Sequence, residues 1–480
     1  MSAAAQEFLR RAAQKASDLD HRRVIRFNID TYETAVARGR SRFANYEAAR
    51  QRCHEIKWEG VNHLDRYLLE FEKQVLARGG HVFWAANAEE ARNYVIEVAT
   101  KNDVKRIVKS KSMVTEEIYL NPSLEKLGIE VFETDLGEYI VQLRHEPPYH
   151  IVTPAMHLNR EQIVRLFREK IPEEMTGETH TELVGAARRR MRRAFFSADM
   201  GISGANFLVA DTGMVAISTN EGNARLSTTL PRIHIVMAGI EKVIPRMQDL
   251  ATLWPVLATA GTGQHITTYS TLLSGARTPT ESDGPQEFHV VLLDNGRSNL
   301  LANTEERDVL YCIRCGACLN ACPVYRQIGG HTYGTVYPGP IGSVLTPHLR
   351  GMAEWRHLSD ASSLCGACTE VCPVKIDLAH HLLHNRHYAA REGDFPWQQR
   401  LGMRVFRWTM QDSGRFKLLA KLGRAALRAL YGFGAEQSSF DPLRPWTKYR
   451  AAPPLPTTSF RDIWKHELAS DSGSKPNGAK

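Results

Sequence analysis

The alternation of apolar and polar positions divides the chain into unlike stretches. Residues 1–80 carry mixed charge and capping-type residues, and they read as helical and polar. From Gly79 the pattern changes. Strands are expected at 81–84, 106–109, 129–134, 139–143 and 150–153. Helices are expected at 88–101 and 114–127, the second broken near Asn121-Pro122. Asn159, with Gln162 three residues on, opens a helix to Lys170; Thr179 and Glu182 form a capping box that opens a basic helix to about Phe196. Apolar, β-rich runs follow at 206–210, 214–218 and 233–238, with turns at Gly213 and at Asn220-Glu221-Gly222-Asn223. Residues 288–294 form the last expected strand. Strands alternating with helices over about 80–300 imply an α/β domain with a substantially parallel sheet.

Four segments follow from this pattern: a helical segment at 1–78, the α/β domain at 79–302, a cysteine-bearing domain at 303–395, and a basic helical extension with a tail at 396–480. Residues 278–286 are a polar loop. Residues 400–450 hold eleven Lys or Arg against three Asp or Glu. There Lys417, Lys421, Arg424 and Arg428 recur as one helical stripe, with Leu418, Leu419, Leu422 and Leu430 largely off it. Pro442, Pro445, Pro453, Pro454 and Pro456 are expected to end regular structure, and 470–480 to be disordered.

At 480 residues, with 43% apolar and 24% charged content, the chain is long enough for two to three domains and too apolar for wholesale disorder. It has no run of 18 apolar residues to span a membrane. Its first twenty residues lack the apolar core of a secretory signal, so a cytoplasmic protein is expected. The net charge of +8 is modest for the length, and no nucleic-acid recognition module accompanies it, so no nucleic-acid partner is expected. Thiolate-ligated clusters, being anionic, give basic residues another use.

Seven of the eight cysteines lie between Cys312 and Cys372, and only Cys53 stands apart. Such crowding without a signal peptide points to metal rather than disulfides. Cys312, Cys315, Cys318 and Cys322-Pro323 follow the pattern C-x2-C-x2-C-x3-C-P. In this pattern three thiolates reach three corners of one iron–sulfur cube and the fourth ligates the other cluster. Cys322 is expected to start a helix, with Pro323 in its first turn, and Gly316 permits the tight loop. The second copy is Ser362, Cys365, Cys368 and Cys372-Pro373 at identical spacing, with serine in place of the first cysteine. The crossed rule gives one 4Fe–4S cluster on Cys312, Cys315, Cys318 and Cys372, and a second on Cys322, Cys365 and Cys368. The fourth position of the second stays open among the Ser362 oxygen, water, a non-protein ligand, His380 or His381, Cys53, and loss of an iron to 3Fe–4S. Four-cysteine zinc is the competing reading, but zinc sites seldom use three cysteines at successive x2 spacing, and almost never twice. Forty-two residues separate Cys322 from Cys365. This insertion, with helix-like sequence after each Cys-Pro, resembles the α-helical ferredoxin domains of respiratory iron–sulfur subunits.

With both halves in view, the chain resembles the lactate utilisation protein B family of bacterial iron–sulfur proteins. The resemblance rests on Lys109-Ser-Lys-Ser-Met113, Glu133-Thr-Asp-Leu-Gly-Glu-Tyr139, Ile151-Val-Thr-Pro-Ala-Met-His157, Gly204-Ala-Asn-Phe207, Ala210-Asp-Thr-Gly213, Asn220-Glu-Gly-Asn223 and the cysteine repeat. It covers roughly residues 20 to 460, and the three-cysteine second repeat fits it. It implies an α/β LUD domain of the sugar-isomerase and CoA-transferase type, followed by a ferredoxin-like domain with two 4Fe–4S clusters. It further implies a complex with lactate utilisation proteins A and C that converts L-lactate to pyruvate, an electron-acceptor chain, and growth on lactate.

Other features have bland and functional readings. Asn220–Asn223 is either a substrate loop or a plain turn. Lys109 and Lys111, with Ser110 and Ser112, follow a strand end, where α/β folds place ligands; they bind a carboxylate or phosphate there, or form a solvated loop. Arg188 to Arg193 reads as one exposed helix face, with Met191 and Phe195 turned inward. The Lys417–Arg428 stripe is either a plain solvated helix face or a surface for an acidic partner or, at most, peripheral membrane association. Cys53 reads as structural. No Ser–His–Asp or nucleotide pattern carries conviction, and no hydride-accepting flavin or nicotinamide site is visible. The expected function is therefore electron transfer within an L-lactate-oxidising complex. The competing functions are a self-sufficient hydroxy-acid oxidoreductase with its substrate in the α/β domain, and an iron–sulfur sensor or scaffold.

Overall fold

The computed structural model describes residues 1–392, 397–432, 441, 443–447, 454 and 456–468. The chain divides into two compact units, Met1–Gly393 and Asp394–Lys480.

The larger unit is built on a six-stranded parallel sheet. Its strands are β1 (His81–Ala85), β2 (Arg106–Lys109), β3 (Glu130–Glu133), β4 (Met200–Gly204), β7 (Ile233–Gly239) and β10 (Glu287–Leu293), in the order β1-β10-β7-β4-β2-β3. The central strand β7 is buried at all seven positions. Its Ile233, Ile235 and Met237 join one apolar cluster, and its Val236 and Ala238 another, because successive side chains leave opposite faces. A smaller sheet holds β5 (Phe207–Val209), β6 (Met214–Thr219), β8 (Val243–Ile244) and β9 (Tyr269–Leu273) in the order β8-β5-β6-β9. Residues 206–218 thus form a hairpin in a second sheet. Strand β9 gave no clear signal, since its five residues are all half-buried and three of them are polar.

Three expectations are corrected. Residues 139–143 are not a strand but the end of the helix Leu136–Leu143. Asp135 caps it by accepting from the Gly137 N–H at 2.9 Å, and that cap overrides the strand-like Tyr-Ile-Val run. Residues 150–153 form a turn, in which His150 Nδ1 accepts from the N–H groups of Val152 (3.0 Å) and Thr153 (3.2 Å) that a strand would have paired. The helix expected at 114–127 breaks at Tyr119, which is left-handed at φ 53°, rather than at Pro122. Pro122 sits in the first turn of Leu120–Glu125, where its missing N–H costs nothing. Both expected N-terminal capping boxes are present, and Met191 and Phe195 do turn inward.

Residues 1–80 fold as the helices Ala3–Ser17, Leu19–Arg40, Tyr46–Asn62 and Leu64–Ala77. Leu64–Ala77 packs Phe71 and Val75 against Phe288 and Val290 of β10. The preceding helices reach the cysteine domain: Arg50 donates to the Cys372 carbonyl at 2.7 and 3.0 Å, and His54 Nδ1 lies 3.0 Å from the Val374 carbonyl.

In the smaller unit, Trp397–Met410 and Ser413–Gly432 are helices, and the second carries the Lys417–Arg428 stripe. Regular structure does not end at the prolines. Short helices form at Arg444–Thr447, with Pro445 in its second position, and at Phe460–Ile463. The expectations for Pro442, Pro453 and residues 470–480 lie outside the described residues.

The carboxyl ends of β7 and β10 converge on a buried ionic group. Arg297, 1% exposed, pairs with Glu117 at 2.7 Å and Glu241 at 2.6 Å. Tyr337 donates to Glu117 at 2.7 Å, and Arg314 reaches Glu241 at 3.4 Å. Burial pushes both carboxyls up, and their neighbours, Arg297 first and then Arg314 and Lys242 for Glu241 and Tyr337 and Asn295 for Glu117, more than reverse it, holding Glu241 down at about 2 and Glu117 below the usual range. Arg297→Met removes the cation both carboxylates face and should cost about 3–5 kcal/mol of stability. Thermal unfolding of the purified variant measures it; a loss under about 1 kcal/mol would show that the carboxylates are compensated elsewhere.

Candidate iron–sulfur centres and the adjoining pocket

The two cysteine repeats fold alike. In the first, Arg314 (φ 60°) and Gly316 (φ 77°) turn the loop left-handed before the helix Ala317–Ala321. In the second, Leu364 (φ 52°) and Gly366 (φ 82°) do the same before Ala367–Val371. Gly316 is required twice over: its backbone is left-handed, and a Cβ there would stand 2.9 Å from His150 Cε1. Cys322 and Cys372 each end a helix rather than start one. The proline that follows drives the preceding residue into extended backbone, with ψ at 118° in both.

This places the last cysteine of the second repeat beside the first three of the first. Cys312, Cys315, Cys318 and Cys372 line one small cavity walled by Ile151, Ile313, Ile341, Val374 and Ile376. Burial is the main cause that pushes the Cys372 thiol up to about 12, and Cys312 adds to it. Burial likewise pushes Cys368 up to about 11, with Cys322 and then Cys365 as the neighbouring thiols. Cys322, Cys365 and Cys368 therefore form the second group. Cys365 is exposed, whereas the other six repeat cysteines are buried or half-buried.

Backbone donors aim at the sulfurs. Arg314 N–H points to Cys312 Sγ at 3.4 Å, Tyr325 N–H to Cys322 Sγ at 3.5 Å and Ile376 N–H to Cys372 Sγ at 3.3 Å. Four thiols around one apolar-walled cavity, with N–H groups directed at thiolate positions, fit an anionic thiolate-ligated cube. Ser362 repeats the part of Cys312: its Oγ accepts from the Leu364 N–H at 3.1 Å, two residues on. The other protein candidates have different company. His381 Nε2 lies 2.8 Å from Asp308, His380 is exposed and stacks on His384, and Cys53 Sγ lies 3.9 Å from the Thr252 carbonyl in a helical core.

A larger pocket opens at the carboxyl ends of the sheet strands. Ser110, Lys111 and Ser112 follow β2, Asp135 follows β3, Gly204 ends β4 with Ala205 and Asn206 after it, and Lys242 follows β7. Asn220, Glu221 and Asn223 line it as well, so the suspected loop does face a cavity. Arg314 and Cys315 line both this pocket and the four-cysteine cavity, so the two share a wall. Lys109 is not part of the pocket. It is buried and saturated by Glu133 at 2.6 Å, Glu116 at 2.9 Å and Thr115 at 2.8 Å, so it is neither a ligand group nor a solvated loop. Lys111 pairs with Glu138 at 3.1 Å and donates to the Val152 carbonyl at 2.8 Å. Burial, then Asp135, pushes Glu221 up to about 7; burial, then Arg314, brings Lys242 down to about 8.

Lys242, Arg314, Asp135 and Ser218 were not singled out from the sequence. The signal for Lys242 was there: Glu241-Lys242 interrupts the apolar run 233–244, and charges inside such a run are either paired or functional.

A family model described as LUD domain matches residues 68–293, and one described as 4Fe-4S dicluster domain matches 308–376. Among curated proteins, Lactate utilization protein B of Bacillus licheniformis is 46% identical over 431 residues, 89% of this chain and 90% of its own. That of Geobacillus sp. (strain WCH70) is 47% identical, covering 88% and 89%. That of Bacillus subtilis (strain 168) is 46% identical, covering 89% of each chain. A crystal structure of a DUF162 family protein from Deinococcus radiodurans is similar over 48% of this chain and 98% of its own. At 14% identity and a TM-score of 0.28, that likeness carries no argument.

Cys53→Ser should leave the iron content of anaerobically purified protein unchanged, since the Cys53 thiol is held in the helical core, where burial pushes it up to about 12. Loss of a quarter or more of the iron would instead make Cys53 the missing ligand.

Proposed function

The chain belongs to the lactate utilization protein B family, and from that premise we propose that it is the electron-transfer component of a complex oxidising L-lactate to pyruvate. The observation that carries this reading is the order of the sites: a pocket, a buried four-thiol cavity sharing its wall, and a second thiol group that reaches the surface at Cys365. Two 4Fe–4S clusters, held by Cys312, Cys315, Cys318 and Cys372 and by Cys322, Cys365 and Cys368, would supply one-electron carriers along that line. Ser362 takes the eighth position, on the strength of its shared place and hydrogen bond with Cys312.

The residues around these positions have their own work. Backbone N–H groups at Arg314, Tyr325 and Ile376 favour added negative charge on the sulfurs. Ile151, Ile313 and Ile341 keep water from the first group. Lactate utilisation proteins A and C are the proposed partners, with an acceptor chain beyond them. Among the described residues no helix is long and apolar enough to cross a membrane. Eight free cysteines suit a reducing compartment, and we place the protein in the cytoplasm.

Anaerobic preparations should contain about eight irons per chain, and L-lactate should reduce them only with the partner proteins present. Stoichiometric zinc without iron, or iron that lactate leaves oxidised in the full complex, would refute the reading. Cys315→Ser and Cys368→Ser should each abolish a different cluster signal in electron paramagnetic resonance; loss of the same signal from both would refute the crossed ligand sets.

Ser362 carries a separate prediction. An iron held by an oxygen or exchangeable ligand is bound less tightly than one held by thiolate. Brief air exposure should therefore produce a 3Fe–4S signal from the second cluster, and Ser362→Cys should suppress it. Equal signals in both proteins would place the weak corner elsewhere.

A further inference from the structure

We infer that the pocket of the α/β domain binds a small 2-hydroxy or 2-oxo monocarboxylate, received by Lys242 and Arg314, against the wall it shares with the Cys312, Cys315, Cys318 and Cys372 cavity. The inference rests on the proposed lactate-oxidising role and adds to it a site on this chain.

Lys242 is 6% exposed and lines the pocket, yet among the described residues it makes no hydrogen bond or ion pair. Its neighbour Lys57, also buried, donates to the Glu241 carbonyl, so it has a partner where Lys242 has none. Arg314 is 9% exposed, stacks on the Tyr337 ring at 4.5 Å and gives Nη2 to Glu241, while its Nη1 is buried with no partner. Arg314 Nη1 is a buried donor left without a partner, and Lys242 a buried amine without a hydrogen bond; on one pocket wall the two define a place for an anion. Ser218 Oγ and Asn223 Oδ1, lining the same pocket, are also buried without partners. They add hydroxyl and carbonyl positions suited to a ligand with a second polar group.

The remaining lining sets the ligand's size and charge. Asp135 and Glu221 share the pocket, and their carboxyls disfavour a dianion such as phosphate while offering acceptors to an alcohol O–H. Met237, Ile151 and Leu257 supply apolar surface for a short alkyl group. One carboxylate, one oxygen on the adjacent carbon and a small alkyl group match these features together. The location follows a general rule as well: ligands of open α/β sheets bind beyond the carboxyl ends of the strands.

The test uses the iron-loaded chain without partners, prepared anaerobically. Isothermal titration with L-lactate, pyruvate, acetate and inorganic phosphate measures binding, and electron paramagnetic resonance of the reduced protein records whether the first cluster's signal shifts. Saturable binding of L-lactate or pyruvate, with that shift and with weaker binding of acetate and phosphate, is expected. Lys242→Met should weaken it roughly tenfold to a hundredfold, the range for a lost charge-assisted hydrogen bond. Ser218→Ala, a smaller change, should weaken it less and keeps the test open if Lys242→Met loses its iron. No binding of either acid, equal binding of all four anions, or unchanged affinity in both variants would overturn the inference. Lactate-driven reduction in the full complex without binding here would sink this inference alone. Binding here without reduction in the full complex would sink the electron-transfer reading alone.

Discussion

Arg297 sits where the sheet meets the cysteine domain, and its guanidinium is shared by Glu117 from the helix Met113–Glu117 and Glu241 from the turn after β7. Glu241 in turn receives Arg314, the residue between the first two cysteines, and Glu117 receives the Tyr337 hydroxyl over whose ring Arg314 lies. Charges buried this deeply are tolerated only when each faces an opposite charge and its remaining hydrogen-bond positions are met. The network therefore fixes the cysteine loop to the strand ends in one arrangement. That arrangement gives the pocket and the four-thiol cavity a common wall.

Three other supports hold the two cysteine repeats and the turn after β7. The turn at His150 presses its ring against Gly316, a fit open only to glycine. Arg50, from the N-terminal helices, holds the Cys372 and Glu370 carbonyls. Lys57 crosses from the same helix to the Glu241 carbonyl. The N-terminal helices thus brace the cluster region, and their many charges have specific carbonyl and carboxylate partners rather than a purely solvating role. This accounts for part of the chain's basic excess, as anionic clusters require.

The cysteine repeat was legible because its information is local: spacing, glycine and proline decide the loop, and the structure repeats them with the same left-handed residues. Five of the six parallel strands were legible because each contains contiguous apolar residues; β4 (Met200–Gly204) was missed, since its two glycines and a serine leave only two apolar positions. Residues 139–143 were not, because a single capping side chain, Asp135, outweighed a strand-like composition. Residues 150–153 were not, because a histidine ring took the place of a neighbouring strand. The pocket was half legible. The Asn220–Asn223 loop and Lys111 stood out as polar punctuation, whereas Lys242 and Arg314 acquire meaning only when β7 and the cysteine loop, about seventy residues apart in sequence, are brought together. The Lys109 reading failed for the same reason, since its partners Glu116 and Glu133 lie on separate elements.

The central claim is that the interleaved repeats, whose helices Ala317–Ala321 and Ala367–Val371 pack together, hold two clusters side by side. Electron paramagnetic resonance of the fully reduced chain tests it most directly. Two neighbouring reduced clusters interact magnetically, so the spectrum should be broadened and split beyond the sum of two isolated signals. It should collapse to one simple signal when either cluster is kept oxidised in a partial reductive titration. A fully reduced spectrum that is a plain sum of independent signals, or that shows a single cluster at every stage, would contradict the account.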